Sequence, residues 1–270
     1  MSMAVEPPAP ILRTVTRAVG WSGLGLIAIA VALSDFLARA PAGTQNTGPM
    51  LSAPSQANPF GTDLLGRDML SETLHGLSQT AGHAVIGALV AILLGGFFGA
   101  VAARSPRPLA EGLRGIMGVF AAVPALLLTI LLIGLTARAF SPLMAGLAAA
   151  PLAFVRAFDQ VDLNSLHAQY ARASGISAMT LLKRDLTNEF RATFAAIAAR
   201  ALAAVTIILS TASFLGFGAE PPARDLGLMI AAAKSTFYSA WWTGAFPALA
   251  LLLLILCARL AAGLEEGERP

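Results

Sequence analysis

Residues 168–191 read Ala168-Gln169-Tyr170-Ala171-Arg172-Ala173-Ser174-Gly175-Ile176-Ser177-Ala178-Met179-Thr180-Leu181-Leu182-Lys183-Arg184-Asp185-Leu186-Thr187-Asn188-Glu189-Phe190-Arg191, the longest polar interruption in the second half of an otherwise apolar chain. Small residues open the stretch, an apolar patch follows, and Lys183, Arg184 and Arg191 close it. A plain solvated loop between two membrane helices is one reading. The other is a short helix, because Ile176, Met179 and Leu182 recur at helical spacing and give it one apolar face to offer a partner protein.

Composition sets the medium around this stretch. Of the 270 residues 56% are hydrophobic and 12% charged, with a mean hydropathy of +0.72. Soluble domains carry roughly 25% charged residues, so much of this surface is suited to lipid. The single cysteine, Cys257, lies in an apolar run and excludes an internal disulfide framework or a multi-cysteine metal site; a buried, inert thiol is expected.

The pattern predicts an all-α, polytopic membrane protein with six transmembrane helices. Residues 1–17 form an N-terminal segment without a cleavable signal. Residues 18–38 hold the first span, uncharged from Ala18 to Ser34. A Pro- and Gly-rich aqueous loop covers 39–79. The core, 80–262, contains spans near 80–103, 115–137, 139–156, 192–216 and 240–260, with a polar loop at about 157–191 and a tail at 263–270. Pro124 and Pro151 fall inside spans, where neighbouring helices satisfy the freed backbone groups. Gly95 and Gly99, and Gly112, Gly115 and Gly118, read as close helix packing.

Lys and Arg counts orient the chain. With the N-terminus inside, twelve basic residues fall on the cytoplasmic side and five on the outer side, which places both termini and the 168–191 stretch in the cytoplasm. Arg200 belongs to neither set. It lies roughly 12–14 Å into the fifth span, where facing lipid costs about 3 kcal/mol; it either faces the bundle or a wet cavity on a translocation path, or snorkels to the inner interface.

The loop ends in Gly61-Thr62-Asp63-Leu64-Leu65-Gly66-Arg67-Asp68. Thr62 or Asp63 can cap one helix and Asp68 a second. Asp63, Arg67 and Asp68 are expected to order the loop by capping and exposed ion pairing, worth about 0–1 kcal/mol per pair. After the fifth span, Ser213-Phe214-Leu215-Gly216-Phe217-Gly218-Ala219-Glu220-Pro221-Pro222 is an abrupt stop. Residues 226–238 read as a short re-entrant or interfacial helix leading to Trp241-Trp242, an interface anchor. His75, His83 and His167 are scattered and make no metal site. No GxxxxGK[ST] phosphate loop and no GxSxG elbow occurs, so the work expected of this chain is mechanical.

Three stretches together resemble the inner-membrane permease subunits of the dipeptide, oligopeptide and nickel ATP-binding-cassette importers. Asn58-Pro59-Phe60 with the Gly61–Asp68 segment is similar to that family's HPLGTDxxGRD. Ser213 to Pro222 is similar to its SFLGLGxxPP, and Ala240-Trp241-Trp242 with Phe246-Pro247-Ala248-Leu249-Ala250 to its AWWxxxFPGLAI. The likeness spans about 58–262 and is to the second of the two permeases. It implies a type I importer permease fold, with the periplasmic motif on Gly61, Thr62, Asp63, Gly66, Arg67 and Asp68. Tyr170-Ala171-Arg172-Ala173-Ser174 resembles the opening of the family's cytoplasmic EAA loop, which docks on the ATPase. That implies ATPase coupling through Tyr170, Ala171, Arg172, Ala173, Gly175, Ile176, Met179, Leu182 and Lys183. Here Arg172 replaces an acid, Thr187 a proline, and the spacing before Gly175 is about three residues short, nearly a helical turn.

The resemblance further implies a different, homologous permease as heterodimer partner, two ATP-binding-cassette ATPases, a periplasmic substrate-binding protein and the lipid bilayer of the inner membrane, with no nucleic acid. The chain itself binds no cofactor or metal and is not an enzyme; ATP and Mg belong to the partner ATPases. Short peptides are the default substrate, with nickel, metal-chelate or opine-like molecules as alternatives. A stand-alone gradient-driven transporter is a further reading, but it needs an internal repeat and a mid-membrane acid, whereas Asp35 and Asp159 lie at span ends.

Overall fold

The computed structural model describes residues 10–136, 141–160, 189–218 and 224–263. Within them the chain is all-helical: α1 (Pro10–Ala32), α2 (Ser34–Leu37), α3 (Met69–Arg104), α4 (Arg107–Ala122), α5 (Ala125–Leu135), α6 (Ser141–Gln160), α7 (Glu189–Phe214), α8 (Leu226–Ala232) and α9 (Trp242–Ala262), with a 3₁₀ turn at Ala233–Ser235. Among the described residues four helices are long and apolar enough to cross a membrane, or five if one bent pair forms a single span. The protein is therefore a polytopic, helical membrane protein.

Prolines within the apolar helices behave in opposite ways. Pro124 divides the expected 115–137 span into α4 and α5, whose axes differ by 87°. Its ring forces Val123 out of helical geometry (φ −76°, ψ 129°), and Pro124 itself is extended (ψ 120°). Pro151 and Pro247, by contrast, sit inside continuous helices. The continuous third span read from hydropathy is thus corrected to a broken one.

The centre of the bundle mixes alanines with branched aliphatic side chains. Ala91, Ala145, Ala149, Val205, Ile208 and Leu209 form its buried core between α3, α6 and α7. A Cβ on Gly87 would lie 2.6 Å from Val205 Cγ1 and 2.8 Å from Pro142 O, and one on Gly146 2.5 Å from Gly87 O, so these glycines set the α3–α6 approach. α1 packs on α9 in the same way, with Gly20 against the Leu260–Ala261 backbone and Gly23 against the half-buried thiol of Cys257. The glycines of α4 differ: a Cβ at Gly112, Gly115 or Gly118 would meet nothing within 4 Å. Close packing expected of that row is not found among the described residues.

Element ends also shift. α3 starts at Met69, so the last part of the 39–79 segment is helix rather than loop. At 36 residues it is about 54 Å long, well beyond the ~30 Å of a bilayer's hydrocarbon. Its polar first turns, with Glu72, His75, Gln79 and Thr80, overhang. The first helix likewise begins at Pro10, inside the segment drawn as 1–17.

Candidate functional site

The loop before α3 is short of regular structure yet densely bonded. Gly61 and Gly66 both have positive φ (72° and 66°), a geometry that favours glycine; they let Thr62 pair with Asp68 in an isolated antiparallel bridge. Inside that turn Asp63 Oδ1 accepts from the N–H groups of Leu65 (2.8 Å) and Arg67 (2.9 Å), and Asp63 Oδ2 pairs with Arg67 Nε at 2.5 Å. No helix starts at Thr62 or Asp63. Thr62 is buried instead: its hydroxyl donates to Pro49 O and accepts from the N–H of Ser52. Asp63 is itself 9% exposed and Asp68 2%, while Arg67 is half-buried, so the exposed pairing expected here is corrected to a half-buried one.

Asp68 does cap α3. Its Oδ2 accepts from Ser71 N (3.0 Å) and Ser71 Oγ (2.8 Å), and Ser71 Oγ accepts from the N–H of Arg39. One turn on, Glu72 is 3% exposed and joins three chain segments. It accepts from Gly43 N at 2.9 Å and forms an ion pair with Arg224, just before α8. Arg224 N donates to Gln79 Oε1 (2.6 Å) and Leu226 N to Thr80 Oγ1 (3.0 Å). Asp225 then caps α8 through Leu228 N. Burial holds the Arg224 guanidinium below its ordinary value; Arg67 adds to the depression and Asp63 opposes it, without discharging an arginine.

Trp242 ties the third segment in. Its Nε1 donates to Thr62 O at 3.0 Å, and Phe60 stacks on Phe246 with ring centroids 3.9 Å apart. Trp242 is 7% exposed and Trp241 53%; of the two tryptophans read as interface anchors, Trp242 is a buried strut of the loop. Beneath this assembly lies a cavity of about 280 Å³, charged on one side by Asp63, Arg67, Glu72 and Arg224 and apolar on the other through Met69, Leu228 and Met229. Segments 58–68, 224–229 and 240–246 therefore converge at one end of the bundle.

No protein-family model matches the chain. Among curated proteins it is 28% identical over 216 residues to the di/tripeptide transport system permease protein DppC of Pseudomonas aeruginosa, covering 78% of this chain and 71% of that one. It is 29% identical over 214 residues to the peptide transport system permease protein SapC of an Escherichia coli strain, with the same coverage. With the probable D,D-dipeptide transport system permease protein DdpC of E. coli K12 it shares 27% over 248 residues, 89% of this chain and 81% of that one. The chain resembles peptide-transport permeases over most of its length.

The convergent end holds all six residues of the permease-like motif read from the sequence, Gly61, Thr62, Asp63, Gly66, Arg67 and Asp68. Glu72, Gln79, Thr80 and Arg224 complete it and were not singled out; the one signal was charge and amide in an apolar helix. His75 and His83 take separate neighbours: His75 Nδ1 lies 3.6 Å from Asp35, and His83 lines a small polar crevice with Ser210, Ser213 and Asp225. Arg200, half-buried, borders a cavity with Arg259. The coupling residues Tyr170, Ala171, Arg172, Ala173, Gly175, Ile176, Met179, Leu182 and Lys183 lie outside the described residues.

Proposed function

We propose that the chain is a transmembrane permease subunit of an ATP-driven importer and forms half of the path for a short peptide delivered by a periplasmic binding protein. The observation that carries this reading is the joining at one end of two motif stretches far apart in sequence, 58–68 and 240–246, through Trp242 to Thr62 and Phe60 to Phe246. Relatives named as peptide permeases support the substrate class over nickel, metal chelates or opines. The convergent end is then the periplasmic docking side, and both termini are cytoplasmic.

In this scheme a different, homologous permease completes the path and two ATPases bind below it. Closure of the ATPases on ATP and Mg pulls on the 168–191 segment and reopens the path on the other face as a rigid-body switch. Arg67 and Asp63 hold the docking loop in shape, and specificity resides mainly in the binding protein.

Reconstitution tests the reading. The chain, its partner permease, both ATPases and the binding protein in sealed vesicles should accumulate a labelled di- or tripeptide only with ATP. Accumulation by the single chain with no ATPase present would contradict it. Exchanging the binding protein for one of other specificity should change the accumulated substrate; unchanged uptake after that exchange counts against a binding-protein-selected path.

A further inference from the structure

A hydroxyl buried in a helix has a ready acceptor in the carbonyl one turn back. On α7, Thr206 Oγ1 donates to Leu202 O and Thr211 Oγ1 to Ile207 O, both at 2.7 Å. Ser210 lies between them, 5% exposed, and departs from that habit: its Oγ is buried with no hydrogen-bond partner. Leaving such a group unmade is costly, and buried polar atoms nearly always have a partner.

Ser210 lines the small polar crevice that also holds His83. Its polar walls come from four elements: Thr80 and His83 from α3, Ser141 from α6, Ser210 and Ser213 from α7, and Asp225 from the cap of α8. Two of them already grip α8, since Thr80 Oγ1 accepts from Leu226 N at 3.0 Å and Asp225 Oδ1 from Leu228 N at 2.9 Å. A hydroxyl that accepts still has a proton to give, and a carboxylate has a second oxygen to accept with. The crevice offers about 10 Å³ to the centre of a water-sized sphere, the size of a single water. The backbones leave no slack beside it: a Cβ on Gly227 of α8 would lie 2.3 Å from Ser210 O.

We propose that this crevice is a binding site for one ordered water. The water accepts from Ser210 Oγ and Thr80 Oγ1 and donates to the second oxygen of Asp225, three bonds, as is usual for a buried water. It fastens α8, and with it the adjacent Arg224, to α3 and α7. A small cation would share the oxygen chemistry, but it would leave both hydroxyl protons without an acceptor.

The full-length chain is placed in nanodiscs with the subunits that purify with it and imaged to a resolution that shows ordered water elsewhere in the map. Density should appear within hydrogen-bonding reach of Ser210 Oγ, Thr80 Oγ1 and Asp225, and should persist when choline replaces sodium and potassium. Hydrogen exchange then gives a test by sign. With the water present, Ser210→Ala takes away one of its partners, and the amides of Leu226 and Leu228 should exchange about fivefold faster. With a dry crevice, the same change only deletes an unpaired hydroxyl, so exchange is unchanged or slower. Unchanged or slower exchange overturns the proposal. So does an empty crevice in the map, density lost in choline, or a side chain of another subunit in the water's place.

Discussion

The two ends of the bundle are built on opposite plans. At the loop end, buried carboxylates are partnered within the chain: Asp63 and Glu72 with the half-buried Arg67 and Arg224, and Asp68 through one of its oxygens with Ser71. At the other end, Arg200 and Arg259 border a cavity walled mostly by alanines, and among the described residues a Cβ on the glycine row of α4 would meet nothing within 4 Å. The first end is closed by its own side chains, so it can present a fixed surface. The second keeps open space among its described helices. A part that must receive a docked protein gains from rigidity, and a part that must be pulled gains from contacts made outside itself.

Breaking the matched end should have the largest effect. Glu72→Ala leaves Arg224 and the Gly43 N–H without their shared acceptor, and removing one member of a buried pair costs about 3–5 kcal/mol. The expected result is a sharply lower unfolding temperature in detergent and proteolysis within 39–68; unchanged protection there would show that the pair does not hold the loop. Gly146→Val tests the crossing between the two ends. Its side chain cannot be seated against Gly87 O and Val90 without shifting α6, and overpacking of this kind costs about 1–3 kcal/mol. Equal stability of this variant and the parent would mean that α3 and α6 do not meet through glycine.

Trp242→Phe is a finer probe. It keeps the ring but removes the donor to Thr62 O, worth about 1 kcal/mol net, and should loosen hydrogen exchange in 58–68 while leaving α9 protected. The smallest effect is expected at the open end. Gly115→Ala meets no neighbour and gains up to about 1 kcal/mol of helix propensity, so the isolated chain should be unchanged or slightly more stable. A loss of stability in the isolated chain would contradict the open face, whereas weaker assembly with the partner permease alone would show what packs there.

Much of the helical plan was legible from hydropathy because it depends on local composition. The last helix, expected near 240–260, runs Trp242–Ala262, and the one expected near 192–216 runs Glu189–Phe214. Asp68 was readable as a cap from its place before an apolar run. The bend at Pro124 was not readable, because a window average is blind to direction and Pro151 has the same sequence signature without the break. The matched end was half legible. Its motif residues stand together in sequence, but Arg224 reaches Gln79 across 145 positions, and neither residue type at its own position announces a partner so distant. Trp242 misled because an aromatic at a helix start serves equally as a membrane anchor or a buried strut; the carbonyl of Thr62 decides between them.

The central claim is that this chain is driven from its arginine-rich side by an ATPase docked on 168–191. The direct measurement is ATP hydrolysis by the assembled complex, stimulated by peptide-loaded binding protein, with Met179→Asp against the parent. If Met179 docks on the ATPase as proposed, a charge there forfeits roughly 1.5–3 kcal/mol of apolar burial and should abolish most of the stimulation while the chain stays folded in the membrane. Full stimulation with an unchanged complex on a sizing column would contradict the account.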